Sequence, residues 1–157
     1  MTQLTIGDNA PNFEGVDQRG QKHTLADYKG KKLAVYFYPK DNTPGCTQQA
    51  CSLRDSYSEL QAAGISILGV SMDSAAAHQK FIDKYELPFP LIVDADRKMI
   101  ELFGVWGEKK FMGKIYDGIH RTTFVINEAG EITNIISKPK VKEHGLEILK
   151  NNFYGRK

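Results

Sequence analysis

The chain lacks any long apolar run, any internal repeat and any excess of one charge, and it has very little cysteine. Nothing approaches the ~20 consecutive apolar residues of a membrane-spanning helix, and the start, MTQLTIGDNAPNFEG, has no apolar run of the ~7–15 residues that a secretory signal needs. These absences set the cytosol as the expected compartment. Basic residues number 21 and acidic ones 19, dispersed along the chain, which argues against a nucleic-acid or membrane surface as partner. Without repeats, low-complexity tracts or linkers, the 157 residues are expected to form a single domain over 1–157. The two cysteines, with four scattered histidines (His23, His78, His120, His144), make no ligand-spaced set, so neither a metal nor another cofactor is expected.

What is present is a succession of short elements. KLAVYFY (32–38) is a nearly continuous apolar run suited to a strand buried on both faces. A helix is expected next: Thr43 is a good N-cap, Pro44 suits the first helical position, and Leu53, Tyr57, Leu60 and Ala63 keep helical spacing up to Gly64. ISILGVS (65–71) reads as a second buried strand. A helix capped by Asp73 or Ser74 runs through AAAHQKFIDKY, and LPFPLIVD (87–94) returns as a strand. A short helix is expected over 96–103. TTFVI and EITNII flank NEAG as a hairpin, KEHGLEILKNNF closes as a helix, and the pieces around Phe13 and Leu25 suggest an N-terminal β-hairpin. Two β-α-β units followed by β-β-α give an α/β fold with a mixed central sheet flanked by helices, a thioredoxin-like arrangement.

The two cysteines raise the chemical question. If Thr43 is the cap, Cys46 is the third helical residue, where backbone N–H groups have no intrahelical acceptor. Those donors and the helix dipole favour a thiolate, and a thiolate is a nucleophile at neutral pH. Cys51 lies five residues on. Positions five apart in an α-helix differ by ~140° and ~7.5 Å, a Cα separation of ~8.7 Å. A disulfide needs less than about 7 Å. The pair bonds only if the first turn and a half opens, which makes the site a switch. A buried inert cysteine, a structural disulfide and a metal pair remain as competing readings.

PKDNTPGC (39–46) matches the Pro-x-x-x-Thr-x-x-Cys signature of peroxiredoxins, and Cys51 together with FGVWGEKKFMGKIYDGIHRTTFVI resembles the bacterioferritin comigratory protein (Q-type) subgroup. The similarity covers nearly the whole chain. It implies that Cys46 is the peroxidatic cysteine, that Thr43 hydrogen-bonds thiolate and peroxide, that Pro39 shields the pocket, that Arg121 supplies a guanidinium and that Cys51 is the resolving cysteine. Gln49 stands where many peroxiredoxins outside this subgroup carry Glu, which sets aside any role there that needs a carboxylate. The resemblance further implies reduction of hydrogen peroxide or organic hydroperoxides, recycling by thioredoxin or glutaredoxin, and a monomer. Two other readings of the same fold stay open at this level. One is a thioredoxin-like dithiol oxidoreductase, weakened by the missing C-x-x-C; the other is a non-enzymatic redox sensor or holdase.

Overall fold

A computed structural model describes residues 2–154. Its central sheet has five strands in the order β5-β4-β3-β8-β9: β3 (Lys32–Phe37), β4 (Ile65–Ser71), β5 (Leu91–Val93), β8 (Thr122–Ile126) and β9 (Ile132–Ile136). β3, β4 and β5 run parallel, and β8 and β9 are antiparallel to their neighbours, so the sheet is mixed as expected. A separate hairpin of β1 (Glu14–Val16) and β2 (Lys22–Thr24) precedes it, and an Asp17–Ile92 bridge attaches this hairpin at the β5 edge.

The helices are α1 (Pro44–Asp55), α2 (Tyr57–Ala62), α3 (Ala75–Tyr85), α4 (Lys98–Leu102) and α5 (His144–Tyr154). Side chains alternate across β3 and so divide the core. Leu33, Val35 and Phe37 join Phe13, Val70, Met99, Phe103 and Phe124 on one side. Ala34, Tyr36 and Tyr38 join Cys46, Ala50, Leu53, Phe81 and Ile148 on the other. The reactive-cysteine candidate therefore sits on the sheet face covered by α1, α3 and α5.

Three expectations need correction. The single helix expected from Thr43 to Gly64 is two: Ser56, at φ −98° and ψ 7°, leaves helical geometry between α1 and α2. Helical spacing of Leu53, Tyr57 and Leu60 continues through the break, so the pattern hides it. The strand expected over 87–94 shrinks to Leu91–Val93, because Pro88 and Pro90 have no N–H to give a ladder. The stretch 106–119, for which the sequence predicts no element, forms a second hairpin of β6 (Trp106–Phe111) and β7 (Lys114–Ile119) standing outside the main sheet.

Candidate active site

The chain leaves β3 at Phe37, passes Pro39 and enters α1 at Thr43, which is the N-cap by its extended backbone. The segment between is clamped from below. Asp41 accepts from the Tyr38 hydroxyl through Oδ1, meets His78 Nδ1 through Oδ2 at 2.6 Å, and sends its N–H to Asp73 Oδ2 at 2.9 Å. His78 Nε2 reaches the Ile92 carbonyl at 2.8 Å. Asp41 and His78 are both buried, so the loop that delivers the cap is held by polar contacts shielded from solvent, where such contacts are strongest.

Cys46 is the third residue of α1 and only 2% exposed. The first intrahelical bond is Thr47 N–H to Thr43 O, 2.8 Å. Thr43 makes no side-chain cap; its hydroxyl instead donates to Lys40 O at 2.8 Å. The Gly45 and Cys46 amides are thus left at the helix end without acceptors, as orphan donors aimed at the space before the helix. The sulfur itself meets Arg121, whose Nη2 donates to Cys46 Sγ at 3.3 Å while Nη1 donates to Gln49 Oε1 at 2.6 Å. Gly45 makes room for this: a Cβ there would lie 3.3 Å from Arg121 Nη2. Arg121 directly precedes β8, and β8 pairs with β3, so the sheet itself brings a residue 75 positions away onto the helix start.

A second cation stands behind the first. Lys109 on β6 lays its Nζ against the Ile119 carbonyl at 2.9 Å. Burial, with the like charge of Arg121 behind it, holds this ammonium below the usual lysine range, and the nearby Cys46 opposes that shift.

Cys46 and Arg121 are in contact. Cys51 is half-buried on the same helix and both thiols are free, so with α1 intact the helix spacing separates them. Thr43 lies at the helix entrance with its proton engaged by Lys40 rather than sulfur. Pro39 is half-buried between β3 and the cap. Gln49 offers no carboxylate, but in the fold its amide oxygen is the acceptor that holds Arg121. Nothing local in the sequence signals that contact, which spans 72 residues.

Among the described residues one trio could gather around a cation: Asp41, Asp73 and His78 place ligand atoms within 4.8 Å of one another. Sequence spacing did not reveal it. Its atoms are already committed, Asp73 Oδ2 to the Asp41 N–H and the Ser71 hydroxyl, and both His78 nitrogens to Asp41 and Ile92. The trio acts as the clamp described above.

On the same sheet face, His144 at the start of α5 is fully buried with its ring edge-on to Tyr36. Its Nδ1 meets Glu147 Oε1 and its Nε2 meets the Thr123 hydroxyl, each at 2.8 Å. The neutral ring protonated on Nδ1 satisfies both partners. Burial pushes this imidazole below its usual range, although Glu147 pulls the other way.

The family model described as AhpC/TSA matches residues 6–135. Curated relatives include a putative peroxiredoxin bcp of Haemophilus influenzae, 51% identical over 92% of this chain and 93% of its own length. Peroxiredoxin Bcp of Escherichia coli strain K12 is 48% identical, covering 92% of both chains. Among solved structures, a cysteine-to-serine mutant of PrxQ from Xylella fastidiosa superposes with a TM-score of 0.91 at 31% identity over the whole of both chains. The bacterioferritin comigratory protein of Xanthomonas campestris, studied for alkyl peroxide reduction, gives 0.86 at 33% identity over 99% of each.

Proposed function

The chain belongs to the AhpC/TSA family and is a thioredoxin-fold peroxiredoxin of the Bcp type, a thiol-dependent peroxidase; from that premise we propose that Cys46 is its peroxidatic cysteine and Cys51 its resolving one. The observation that carries the reading is the Arg121 guanidinium 3.3 Å from a sulfur seated at a helix start.

The chemistry follows from these positions. The Cys46 thiolate attacks one peroxide oxygen, the O–O bond breaks, and the departing oxygen takes the electron pair and then a proton to leave as water or an alcohol. Negative charge grows on that oxygen, and fixed donors aimed at it lower the barrier. The Gly45 and Cys46 amides and Arg121 are such donors. Thr43 has its own proton on Lys40 O, so its oxygen offers a lone pair to the peroxide O–H and orients it. Pro39 walls the entrance. The sulfenic acid then condenses with the Cys51 thiol, forming the disulfide and releasing water, before a second peroxide can oxidise it further. An external dithiol, thioredoxin or glutaredoxin, returns both cysteines to thiols by exchange.

Hydrogen peroxide and alkyl hydroperoxides are both proposed as substrates, the latter supported by the activity studied in the Xanthomonas campestris protein. Because the resolving thiol lies in the same chain, turnover needs no second subunit, and we take the working unit to be a monomeric single domain in the cytosol; no described helix is long and apolar enough to cross a membrane. The test is stopped-flow mixing of the reduced protein with hydrogen peroxide. Rapid stoichiometric loss of thiols, abolished in Cys46→Ser, supports the reading. Unchanged peroxide consumption by Cys46→Ser overturns it. A thioredoxin-like oxidoreductase would instead exchange quickly with protein disulfides and ignore peroxide.

A further inference from the structure

The β6–β7 hairpin ends in four apolar side chains that nothing in the molecule covers. Phe111 is 65% exposed, Met112 86%, Ile115 64% and Tyr116 47%. Strand pairing fixes where they point. Phe111 lies opposite Lys114 and Lys109 opposite Tyr116, so these four share one face; Lys110 and Ile115 face the other way. Met112 stands at the tip.

The turn itself is unusual. Met112 and Gly113 are its central residues, at φ +51° and φ +79°, the left-handed pair of a type I′ turn, for which Asn-Gly is the favoured sequence. A bulky methionine in that conformation is an outlier that costs stability. Packing gives nothing in return, since the side chain touches no core. A residue kept at a cost, and almost wholly in water, points to an external use.

Charge narrows that use. From 109 to 116 the sequence reads KKFMGKIY, with three lysines and no acid. Lys109 is drawn back to the Ile119 carbonyl, while Lys110 and Lys114 are exposed beside the apolar tip. The chain as a whole disperses its charges, and the hairpin keeps two exposed acids toward its base, Glu108 opposite Asp117, but the tip beyond them carries only lysines. A protein groove covers one face of a ribbon. Apolar groups on both faces and at the tip, with an aromatic and lysines one step behind, suit immersion in a fluid interface that surrounds them on all sides.

We propose that this hairpin tip docks on the surface of an anionic lipid bilayer, Phe111, Met112 and Ile115 entering the interface while Lys110 and Lys114 meet the headgroups. The base of the hairpin is tied to the body by Lys109 to Ile119 O and by His120 Nε2 to Glu108 O at 3.0 Å. Met112 at the tip stands three to four residues beyond Glu108 and Lys109, about 10–13 Å. Docking therefore holds the protein at the surface without pressing on the thiol site.

Sedimentation of the whole protein with phosphatidylglycerol-containing vesicles tests this without any peroxide, so its result is separate from that of the peroxidase assay. Two lysines at the tip, opposed by Glu108 and Asp117 further back, predict binding several-fold tighter than to phosphatidylcholine vesicles at low salt, falling as salt rises. Met112→Asn should fold at least as well, because Asn accepts the left-handed turn, yet bind vesicles several-fold more weakly. Phe111→Glu should lose binding, with both variants reacting with hydrogen peroxide as the parent does. Equal binding to neutral vesicles, no binding, or unimpaired binding by both variants overturns the proposal. So do two other results in the absence of vesicle binding: a concentration-dependent dimer abolished by Phe111→Glu, which assigns the tip to a second copy, or slowed turnover with reduced thioredoxin, which assigns it to a protein partner.

Discussion

Replacing Arg121 by Lys separates the charge of this side chain from its shape. The guanidinium presents two nitrogens in a fixed fork, Nη2 on Cys46 Sγ at 3.3 Å and Nη1 on Gln49 Oε1 at 2.6 Å. An ammonium is a point charge on a shorter, flexible stem and cannot hold both acceptors in that geometry. The positive charge stays and one charge-assisted hydrogen bond goes, a loss of about 1.5–3 kcal/mol. If the guanidinium turns that bond toward the departing oxygen, where negative charge builds as it leaves the sulfur, its loss slows the reaction with peroxide by roughly 10- to 150-fold. The readout is the second-order rate constant of the fully reduced protein with hydrogen peroxide, from quenched-flow thiol counts. Arg121→Met, which removes charge and bonds together, should be slower still. An Arg121→Lys rate within threefold of the parent, with thermal midpoint unchanged, would refute the view that the fork, and not merely a nearby cation, organises the site.

Three further outcomes follow from the same geometry. Cys51→Ser should react once with peroxide at the parent's rate, accumulate sulfenic acid and become inactivated at lower peroxide doses, which mass spectrometry of residue 46 reads directly; resistance equal to the parent's would show that Cys51 does not protect. Gly45→Ala places a Cβ 3.3 Å from Arg121 Nη2 and stiffens the first turn of α1 by up to about 1 kcal/mol, so disulfide formation should slow by up to about fivefold, with hydrogen exchange of the turn slowed in step. The buried His144 has its pKa below the usual 6.5. Above about 6.5 the imidazole is neutral in folded and unfolded chains alike. Below it the unfolded chain takes up a proton that the fold resists, so stability falls with pH through this window until the folded-state value is passed. His144→Gln should flatten the slope of thermal midpoint against pH between 7 and 5, and an unchanged slope would assign the acid sensitivity to other groups.

Local chemistry was legible in the sequence wherever a pattern acts over a few residues. The apolar run of β3 and the Thr-Pro-Gly entry to α1 located the strand, the cap and the helical position of Cys46, and the fold agrees at each of them. What spacing could not show was where the helix stops, since Ser56 interrupts α1 and α2 without disturbing the apolar rhythm. The β6–β7 hairpin escaped for the opposite reason. Exposed on both faces, it has no alternation to read, and its Met-Gly turn lacks the Asn or Asp that marks a hairpin. Long-range polar contacts left no local trace. Arg121 meets Cys46 because β8 lies beside β3, and only the family resemblance singled it out. Thr43 shows how a correct position can carry an incomplete role: it is the cap by backbone, yet its hydroxyl turns to Lys40.

The contacts of α1 also suit the opening that the proposed Cys46–Cys51 disulfide requires. Its two ends are held by different forces. Toward the C-terminal end, Leu53 is fully buried and the Ser52 hydroxyl accepts from Gly145 N–H at 3.0 Å, fastening the helix to α5. In the first two turns the buried apolar side chains are only Cys46 and Ala50, and the remaining hold is polar, Arg121 bridging Cys46 and Gln49. A small apolar area gives little hydrophobic stabilisation, so this half of the helix depends on the guanidinium that bridges Cys46 and Gln49. In the proposed cycle the attacking sulfur is a thiolate, and its oxidation to a neutral sulfenic acid removes the charge that the guanidinium meets. The hold on the first turns then weakens when resolution needs them to unwind, while the Ser52 and Leu53 anchors confine the opening to the segment that carries both sulfurs. In the proposed cycle the peroxide reaction thus favours its own resolving step.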